Sequence, residues 1–303
     1  MPAIKRVIAL GFFDGVHLGH AALLKKARER ALQIGAKPAV LSFDVHPDTL
    51  VKGADVPLIN SAAGRVDIIK RRYDIDTVIF IRFDEKMMRM RWRDFIDSVI
   101  DQLGTEYIVI GTDFNCGYKG EGTAERIFQY CGEAGIGCDV IPEVVKDDIK
   151  VSSSYIRKLI DEGDIERANE FLGYPHMLLD TVHYGYKLGR TMGAPTINMQ
   201  FDPGVLIPKF GVYATKAALE DGEYAAVTNI GVRPTFGGGR AVSVESFILD
   251  FDGNLYGKLV RVDFYKFLRP EIVFSDKEEL KGQISRDALA AKKYFASGNP
   301  EAK

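Results

Sequence analysis

The first half of this 303-residue chain alternates short apolar runs with segments of helical periodicity, and this alternation restricts the possible folds more than any other feature. The predicted strands are Val7–Phe13, Ala39–Phe43, Thr77–Phe83, Tyr107–Thr112 and Asp139–Val145. The helical segments are His20–Ile34, Ala62–Tyr73, Trp92–Gln102 and Ala124–Ala134. Strands that alternate with helices form a parallel sheet covered on both faces, with ligand sites beyond the carboxyl ends of the strands. The first half is therefore predicted to be α/β.

From about Leu178 the pattern changes to strands and turns, which predict a small antiparallel β-barrel. One hairpin is predicted from Gly211–Leu219 and Tyr224–Ile230, and a second from Val242–Phe251 and Leu255–Phe267, with Asp-Gly at both turns. A terminal helix is predicted after Ser275, because Ser275 and Glu278 have capping-box spacing. Two helices, Ser153–Glu162 and Asp164–Leu172, are expected to close the first half. The predicted boundary lies near Gly173–Leu179, which gives domains 1–176 and 177–303.

Composition argues against several classes of protein. The formal net charge of −2 gives no electrostatic reason to expect nucleic acid or an anionic membrane as a partner. Every apolar run is shorter than the roughly 18 to 20 residues that cross a bilayer. The three cysteines, Cys116, Cys131 and Cys138, form no C-x-x-C pair and indicate neither a disulfide framework nor a zinc site. A cytoplasmic protein is expected, and the oligomeric state stays open.

The segment Gly11-Phe12-Phe13-Asp14-Gly15-Val16-His17-Leu18-Gly19-His20 lies where the first predicted strand meets the first predicted helix. Free backbone N–H groups and the positive end of a helix dipole favour bound phosphate at such a junction. His17 and His20 could donate hydrogen bonds to an α-phosphate and to departing pyrophosphate. Gly15 permits the turn, and Gly19 would let a nucleotide approach the backbone. The alternative interpretation is a capped turn with two solvated histidines.

Other polar residues of the first half follow predicted strands or begin a predicted helix. Asp44 and His46 could line the same crevice, and Asp113 could bind a ribose or flavin hydroxyl. Ser152, Ser153 and Ser154 begin a helix that carries Arg157 one turn later. Three hydroxyls and a guanidinium suit a phosphate, although simple N-capping by a serine is compatible with the same pattern.

The second half carries candidate residues of its own. Thr196 and Asn198 are oxygen donors two residues apart, on one side of an extended segment, and could bind Mg²⁺ together with ATP phosphates. Glu245 shares a strand face with Phe247, where a carboxylate needs a partner or a chemical task. The alternative is that Glu245 faces solvent while the neighbouring valines and Ile248 face the core. His176 and His183 lack ligand spacing and are taken as structural.

These motifs resemble those of a known family. Gly11–His20 resembles the signature of HxGH nucleotidyltransferases, especially the flavin adenylyltransferase module of prokaryotic bifunctional riboflavin kinase/FAD synthetases. Gly189–Asn198 resembles the riboflavin kinase motif, and later segments match that family in order and spacing. The resemblance implies a Rossmann-like domain with a parallel sheet, followed by an antiparallel β-barrel kinase domain with a terminal helix. It implies an enzyme that phosphorylates riboflavin to FMN with Mg²⁺ and ATP and adenylylates FMN to FAD.

The resemblance also assigns roles to individual residues. Catalytic roles fall to Glu245, as general base toward the terminal ribityl hydroxyl of riboflavin, and to His17 and His20. Nucleotide contacts fall to Gly11, Phe12, Phe13, Asp14, Gly19, Gly111, Ser152, Ser153, Ser154, Arg157, Gly189, Arg190 and Gly193. Flavin contacts fall to Asp44, Asp113, Asn115, Cys116, Asn229, Arg269, Glu271 and Phe274. Thr196 and Asn198 would hold Mg²⁺. For Arg269, Glu271 and Phe274 an ordinary loop is an equally good interpretation.

The chain departs from the family pattern at two places. Asn115-Cys116 stands where the family has Arg-Phe, and Ala194 stands where it has Phe. Two rival functions therefore stay open. The first is a riboflavin kinase whose first domain has lost or altered flavin adenylylation, and the second is a flavin- or nucleotide-binding protein without turnover.

Overall fold

The computed structural model describes residues 4–51, 53, 55–184, 196–234 and 240–297. Internal contacts group the chain into two compact units, residues 1–153 and 154–303. The boundary predicted near Gly173–Leu179 lies downstream of this division, beyond two helices. The second of those helices, Ile165–Leu172, is tied to the second unit, because the Asn169 amide donates to the carbonyl oxygen of Phe264 at 2.8 Å.

The first unit is built on a five-stranded sheet with helices in the connections. Its strands are β1 (Arg6–Leu10), β2 (Lys37–Phe43), β3 (Thr77–Ile81), β4 (Thr105–Gly111), β5 (Asn115–Cys116), β6 (Gly122–Thr123), β7 (Gly137–Ile141), β8 (Val145–Lys146) and β9 (Ile149–Lys150). Its helices are α1 (Leu18–Ile34), α2 (Pro47–Val51), α3 (Ala62–Tyr73), α4 (Glu85–Met88), α5 (Trp92–Leu103) and α6 (Ala124–Glu133), and α7 (Ser153–Glu162) begins at its last residue.

The main sheet has the order β3-β2-β1-β4-β7, and all four pairings are parallel. This confirms the predicted α/β class, and it brings the carboxyl ends of the strands to one edge. Several predicted strand ends were wrong: β1 ends at Leu10 rather than Phe13, β3 at Ile81 rather than Phe83, and β7 at Ile141 rather than Val145. Phe13 adopts a left-handed backbone (φ 57°), which no strand accommodates, so the chain leaves the sheet before the turn.

The second unit contains a six-stranded antiparallel sheet and a terminal helix, as predicted. Its elements are α8 (Ile165–Leu172), β10 (His176–Thr181), β11 (Thr196–Met199), β12 (Gly211–Leu219), β13 (Gly222–Pro234), β14 (Arg240–Ile248), β15 (Leu259–Arg269) and α9 (Lys277–Ala296). The sheet order is β10-β15-β12-β13-β14-β11. A bridge between His183 and Asn198 joins the two ends of this order, so the sheet curls toward a barrel.

The first predicted hairpin is confirmed, since β12 and β13 pair from Gly211↔Ile230 to Leu219↔Gly222. The second is wrong: β14 pairs with β13 and β11, whereas β15 lies between β10 and β12. The chain after β14 is tied to the end of β10, because Val182 donates its N–H to the Lys258 carbonyl at 2.9 Å and accepts from Gly257 at 3.0 Å. These bonds carry β15 to the opposite side of the sheet.

The N-cap of helix α9 lies one residue later than predicted. Asp276 is the N-cap, and its Oδ1 accepts from the N–H of Glu279 at 2.8 Å. The Glu279 carboxylate in turn accepts from the N–H of Ser275 at 2.9 Å and from its hydroxyl at 2.8 Å. The capping pair is therefore Asp276 and Glu279 rather than Ser275 and Glu278, because Asp is at least as good a cap as Ser.

Candidate functional site

His17 and His20 come together at the junction of β1 and α1, as the sequence predicted. His17 is the N-cap of α1, and its Nδ1 accepts from the N–H of His20 at 3.3 Å. The two rings stack with centroids 3.7 Å apart and an interplanar angle of 12°. His17 is buried and His20 is half-buried, so the solvated alternative is wrong. The cap fixes the imidazole pair at the positive end of the helix.

The turn before the histidines has an unusual backbone. Phe13 and Val16 both have positive φ, at 57° and 37°, although neither is glycine. Asp14 is buried within this turn, and its Oδ1 accepts from the N–H of Ile59 at 2.8 Å. Such conformations cost free energy and persist where the surroundings hold them, which is frequent at functional sites.

Gly19 is required by the histidine pair itself. A Cβ at Gly19 would lie 3.1 Å from the His17 ring, closer than ordinary packing allows. A side chain at this position would therefore push His17 away from His20. The sequence analysis assigned Gly19 to a close approach by a nucleotide, and the structure adds a second reason for glycine. Similarly, a Cβ at Gly11 would lie 3.0 Å from the Phe13 ring.

The electrostatics of the junction keep His20 neutral at neutral pH. Burial lowers the pKa of His20 well below its usual value, and the charges of His17 and Arg65 lower it further. Its Nδ1 is buried and has no hydrogen-bond partner among the described residues. A neutral imidazole has one N–H donor and one acceptor nitrogen, so His20 can act as a donor without carrying a charge.

The serine segment contacts the same turn. The Ser153 hydroxyl donates to the carbonyl oxygen of Asp14 at 2.9 Å, so the start of α7 is bound to the histidine turn. Ser152 is half-buried beside it. Ser154 and Arg157 follow on α7 and belong to the second unit, where the Arg157 guanidinium lies 3.5 Å from the Ser154 hydroxyl. Ser153 is thus committed to positioning the turn, and its contact with a phosphate stays a prediction.

A cavity of about 420 Å³ lies in the first unit beside the departure from the family pattern. It is lined largely by aromatic and methionine side chains together with the β5 turn, including Phe43, Phe83, Met87, Met90, Asn115 and Cys116. Its size and apolar lining are those of a small-molecule site. Cys116 also packs against the neighbouring core cluster, and burial raises the pKa of its thiol to about 12. Asn115 and Cys116 therefore line a cavity with room for a ring system.

Asp44 and Asp113 lie at strand ends but do not line this cavity. The Oδ1 of Asp44 accepts from the N–H groups of Val45 at 2.9 Å and Phe83 at 3.0 Å, so this oxygen holds the end of β2. Asp113 is exposed, with its carboxylate 3.6 Å from the Lys150 ammonium. A Cβ at Gly111 would lie 2.9 Å from Asp113 Oδ1, so glycine there makes room for the carboxylate.

In the second unit, four predicted site residues share one row across the sheet. Asn198 of β11 pairs with Glu245 of β14, which pairs with Asn229 of β13. The row continues through Val212 of β12 to Arg269 of β15. Residues directly opposite each other in antiparallel strands project from the same face. The curled sheet therefore brings together residues that are up to 71 positions apart in sequence.

Glu245 lies on the face opposite the barrel interior. Its neighbours Val244, Ser246 and Ile248 are buried in the interior, while Glu245 and Phe247 are half-buried on the other face. The burial of Val244 and Ile248 agrees with the alternative interpretation of the sequence, in which these two residues face the core. Glu245 is nevertheless not left in open solvent, because Phe247 and helix α9 form a second apolar cluster on its face. The carboxylate lies next to a packed layer.

Thr196 and Asn198 line a second cavity, also of about 420 Å³, within the second unit. Its wall continues through Asp252, Asn254 and Tyr256 in the connection between β14 and β15. Hydroxyl and amide oxygens are hard donors of the kind that suits Mg²⁺. The predicted contacts Gly189, Arg190 and Gly193, and the departure at Ala194, lie outside the described residues.

The remaining residues predicted to contact the flavin are Glu271, Arg269 and Phe274. A Cβ at Gly231 would collide with the Glu271 carboxylate, so this glycine lets Glu271 lie over the sheet. Arg269 is bound to Asp287 of α9, with Nε–Oδ1 at 3.1 Å and Nη2–Oδ2 at 2.7 Å. Phe274 is half-buried in the segment before α9. Arg269 thus anchors the terminal helix, which the sequence analysis did not predict.

Two further residues stand out in the structure: Arg65, which was not singled out from the sequence, and His183, which was taken as structural. Arg65 is fully buried behind the histidine turn, and His183 forms a bridge with Asn198 while its Nε2 lies 3.1 Å from Asp180 Oδ2. Arg65 shares the helical face of Ile68, Ile69 and Tyr73, which are buried. An arginine on the apolar stripe of a helix was the signal that could have found it.

Comparisons with known proteins agree over both halves. Residues 2–155 match the sequence model of a family described as FAD synthetase, and residues 172–295 match that of riboflavin kinase. Bifunctional riboflavin kinase/FMN adenylyltransferase of Listeria monocytogenes is 35% identical, over 97% of this chain and 93% of that protein. The protein of that name from Escherichia coli is 31% identical, over 97% of this chain and 94% of its own length.

A crystal structure named Macrolide-efflux Protein from Streptococcus pneumoniae is also similar, with a TM-score of 0.83 and 26% identity. The match covers 96% of this chain and 95% of that one. Among the helices that the structure describes, none has the length and apolar character needed to span a membrane.

Proposed function

Because the chain belongs to the family of bifunctional riboflavin kinase/FMN adenylyltransferases, we propose that its second unit phosphorylates riboflavin to FMN and its first unit adenylylates FMN to FAD. The substrates would be riboflavin, FMN and ATP, which are small molecules, and the expectation of a cytoplasmic protein stays a prediction. The observation that carries the proposal is that each unit gathers its own set of candidate residues, at the histidine junction and along the Asn198–Arg269 row.

In the first unit, the phosphate oxygen of FMN attacks the α-phosphorus of ATP, and pyrophosphate leaves with the electrons of the broken bond. The attacking oxygen is already an anion, so no protein base is needed. His17 and His20, stacked at the start of α1, stabilise the charge that develops on the phosphates. The hydroxyls of Ser152 and Ser153 would supply further donors within the first unit, and positioning accounts for the remaining rate enhancement.

The cavity beside Cys116 is the proposed site of the isoalloxazine ring. Phe43, Phe83 and the methionines supply apolar and polarizable surface for a flat aromatic ligand. The cavity lies at the carboxyl-end edge of the parallel sheet, since its lining includes Phe43 at the end of β2 and Cys116 in the segment after β4. Asn115 and Cys116 contribute an amide and a thiol instead of the arginine and aromatic ring usual in the family. Binding of FMN there is expected to be weak.

In the second unit, the terminal hydroxyl of riboflavin attacks the γ-phosphorus of ATP, and ADP leaves. Glu245 accepts the hydroxyl proton, and its half-buried position beside Asn198 and Asn229 orients the carboxylate along the row. Thr196 and Asn198 would hold Mg²⁺, because both line one cavity with oxygen donors. When bound, Mg²⁺ would neutralise charge on the ATP phosphates.

Incubation of the purified protein with riboflavin, Mg²⁺ and ATP, followed by chromatographic separation of the flavins, tests the proposal. FAD is the expected product. Accumulation of FMN alone would instead support a kinase whose first unit has lost adenylylation. Unconverted riboflavin would support a binding protein without turnover. The same assay started from FMN tests the first unit by itself.

A further inference from the structure

Arg65 is the largest fully buried polar side chain among the described residues, with 1% of its surface exposed. Its Nη1 donates to the carbonyl oxygen of Phe12 at 2.9 Å and to the Ser42 hydroxyl at 3.0 Å. Its Nη2 donates to the carbonyl oxygen of Phe43 at 3.2 Å. One guanidinium therefore bridges the histidine turn that follows β1 and the end of β2.

The environment of Arg65 is unusual for a buried cation. None of its hydrogen bonds among the described residues goes to a carboxylate, and its Nε has no described partner. The guanidinium lies between the rings of Phe12 and Phe80, 5.0 and 4.9 Å from their centroids. Burial lowers the pKa of Arg65, while the charges of Asp14 and Asp44 oppose that shift. A guanidinium titrates so high that it keeps its charge nonetheless.

Burying a cation without an ion-pair partner is expensive, and a methionine or leucine of similar length would fill the same space at lower cost. The three residues that accept hydrogen bonds from Arg65 belong to the candidate site or support it. Phe12 precedes the strained Phe13, Ser42 donates to the same Phe12 carbonyl at 2.7 Å, and Phe43 lines the cavity beside Cys116. This position suggests a task beyond filling the core.

We propose that Arg65 is a positioning residue of the adenylylation site. The forked pair of donor nitrogens of its guanidinium holds the histidine turn against the end of β2, and its buried charge attracts the phosphates that the turn receives. The inference rests on the function proposed for the first unit. Because Arg65 is fully buried, little water screens the charge that its guanidinium exerts on phosphates bound at the turn. The same charge disfavours a second proton on the imidazole pair before a nucleotide binds.

The competing explanation is that Arg65 only satisfies two carbonyls at strand ends. The two explanations differ in whether activity depends on the positive charge of Arg65. A purely structural role predicts that loss of activity follows loss of stability, whereas the proposal predicts an electrostatic effect on His20 and on ATP in a protein that is still folded.

The test compares Arg65→Met, Arg65→Lys and the control Arg71→Met in the full-length protein. Arg71 lies on the same helix, is exposed and is bound to Asp67. Arg65→Met is expected to lower kcat/KM for ATP in adenylylation about a hundredfold, since small displacements of a catalytic turn have effects of that size. Arg65→Lys should recover part of the loss, and Arg71→Met should behave as wild type. Riboflavin phosphorylation by all three proteins should be unchanged.

An NMR titration of the histidine rings supplies a measurement that does not depend on turnover. The pKa of His20 is expected to rise in Arg65→Met and to stay near its wild-type value in Arg65→Lys. A folded Arg65→Met protein with wild-type kcat/KM and an unshifted His20 titration would overturn the inference. If Arg65→Met does not fold, a wild-type kcat/KM in Arg65→Lys would overturn it, because lysine lacks the fork. A wild-type protein that makes no FAD would refute the proposed function, while the titration would still test Arg65.

Discussion

Cys116 lies between a cavity and the core of the first unit, and its replacement by phenylalanine distinguishes the two environments. If the cavity receives FMN, Cys116→Phe adds a ring against the isoalloxazine, and stacking contributes roughly 0.5 to 1.5 kcal/mol beyond area burial. The apparent KM for FMN in adenylylation should therefore fall severalfold. Riboflavin phosphorylation should stay unchanged, and Cys116→Ser, which adds no ring, should give no gain.

The core environment makes the opposite prediction for the same variant. The Cys116 sulfur would lie 3.0 Å from a Cβ at Gly122, so this side of the residue is already closely packed. A phenylalanine forced into that space would destabilise the domain by roughly 1 to 3 kcal/mol. A thermal melt is the deciding measurement: earlier melting with no gain for FMN would place the ring in the core and contradict the flavin assignment.

At the scale of elements, helix α9 is held to the sheet by the ion pair between Arg269 and Asp287. Asp287 is buried, and Arg269 donates to its carboxylate from Nε at 3.1 and 3.2 Å and from Nη2 at 2.7 Å. Asp287→Asn should lower the free energy of unfolding of the second unit by about 2 kcal/mol, because the partly buried guanidinium of Arg269 would lose its counter-charge. Chemical denaturation measures the change.

The matched control is Asp250→Asn. Asp250 pairs with Lys292 of the same helix at 2.7 Å, but its side chain is 75% exposed. Solvent screens such a pair, so the expected change is below about 0.5 kcal/mol. Equal losses in the two variants would show that charge on α9, rather than the buried bond, determines how the helix docks.

The parallel sheet, the first hairpin and the terminal helix could be predicted from the sequence, because each has a local signal in periodicity or turn chemistry. The pairing of β15 could not be predicted from the sequence. Asp252-Gly253-Asn254 looks like a hairpin turn, yet the backbone bonds between Val182 and the segment before β15 move that strand to the other side of the sheet. Those partners are more than 70 residues apart, and no local pattern encodes them.

In the candidate site, too, features with a local sequence signal could be predicted, whereas features that depend on distant strand pairings could not. Histidine spacing placed His17 and His20 together because they are neighbours on one helical turn. Glu245, Asn198 and Asn229 were singled out separately, but their common row depends on strand register, which the sequence pattern left undetermined. Arg65 was missed because a charge within an amphipathic helix normally faces solvent.

At the scale of the second unit as a whole, α8 belongs with the kinase fold. Asn169 donates to the Phe264 carbonyl at 2.8 Å and accepts from the N–H of His176 at 2.7 Å. A fragment of residues 154–297 should therefore retain riboflavin phosphorylation. A fragment that begins at residue 178 lacks both bonds and should melt at lower temperature. Equal melting temperatures and activities would show that α8 is dispensable.

His176 should make the stability of the same unit depend on pH. It is fully buried, neither ring nitrogen has a partner among the described residues, and burial lowers its pKa to about 4. The unfolded chain takes up a proton near pH 6.5, whereas the native chain does so only near 4. Its contribution is therefore complete above pH 6.5 and decreases, by on the order of 3 kcal/mol, as the pH falls to about 4.

Unfolding free energies measured between pH 7 and pH 4 test this, with His176→Leu as the comparison. Leucine fills a similar volume and has no proton to bind, so the variant should lose much less stability across that range. Parallel curves for wild type and His176→Leu would mean that other groups determine the acid sensitivity.

The central claim is that one chain holds two separate sites, and complementation between two damaged chains tests it most directly. His20→Ala should convert riboflavin only to FMN, and Glu245→Gln should make FAD from FMN but leave riboflavin unchanged, since glutamine cannot accept the proton. His20 is preferred to His17, whose Nδ1 also caps α1. An equal mixture of the two variants with riboflavin, Mg²⁺ and ATP is expected to yield FAD. FAD made from riboflavin by either variant alone, or no FAD from the mixture of folded proteins, would contradict two separate sites.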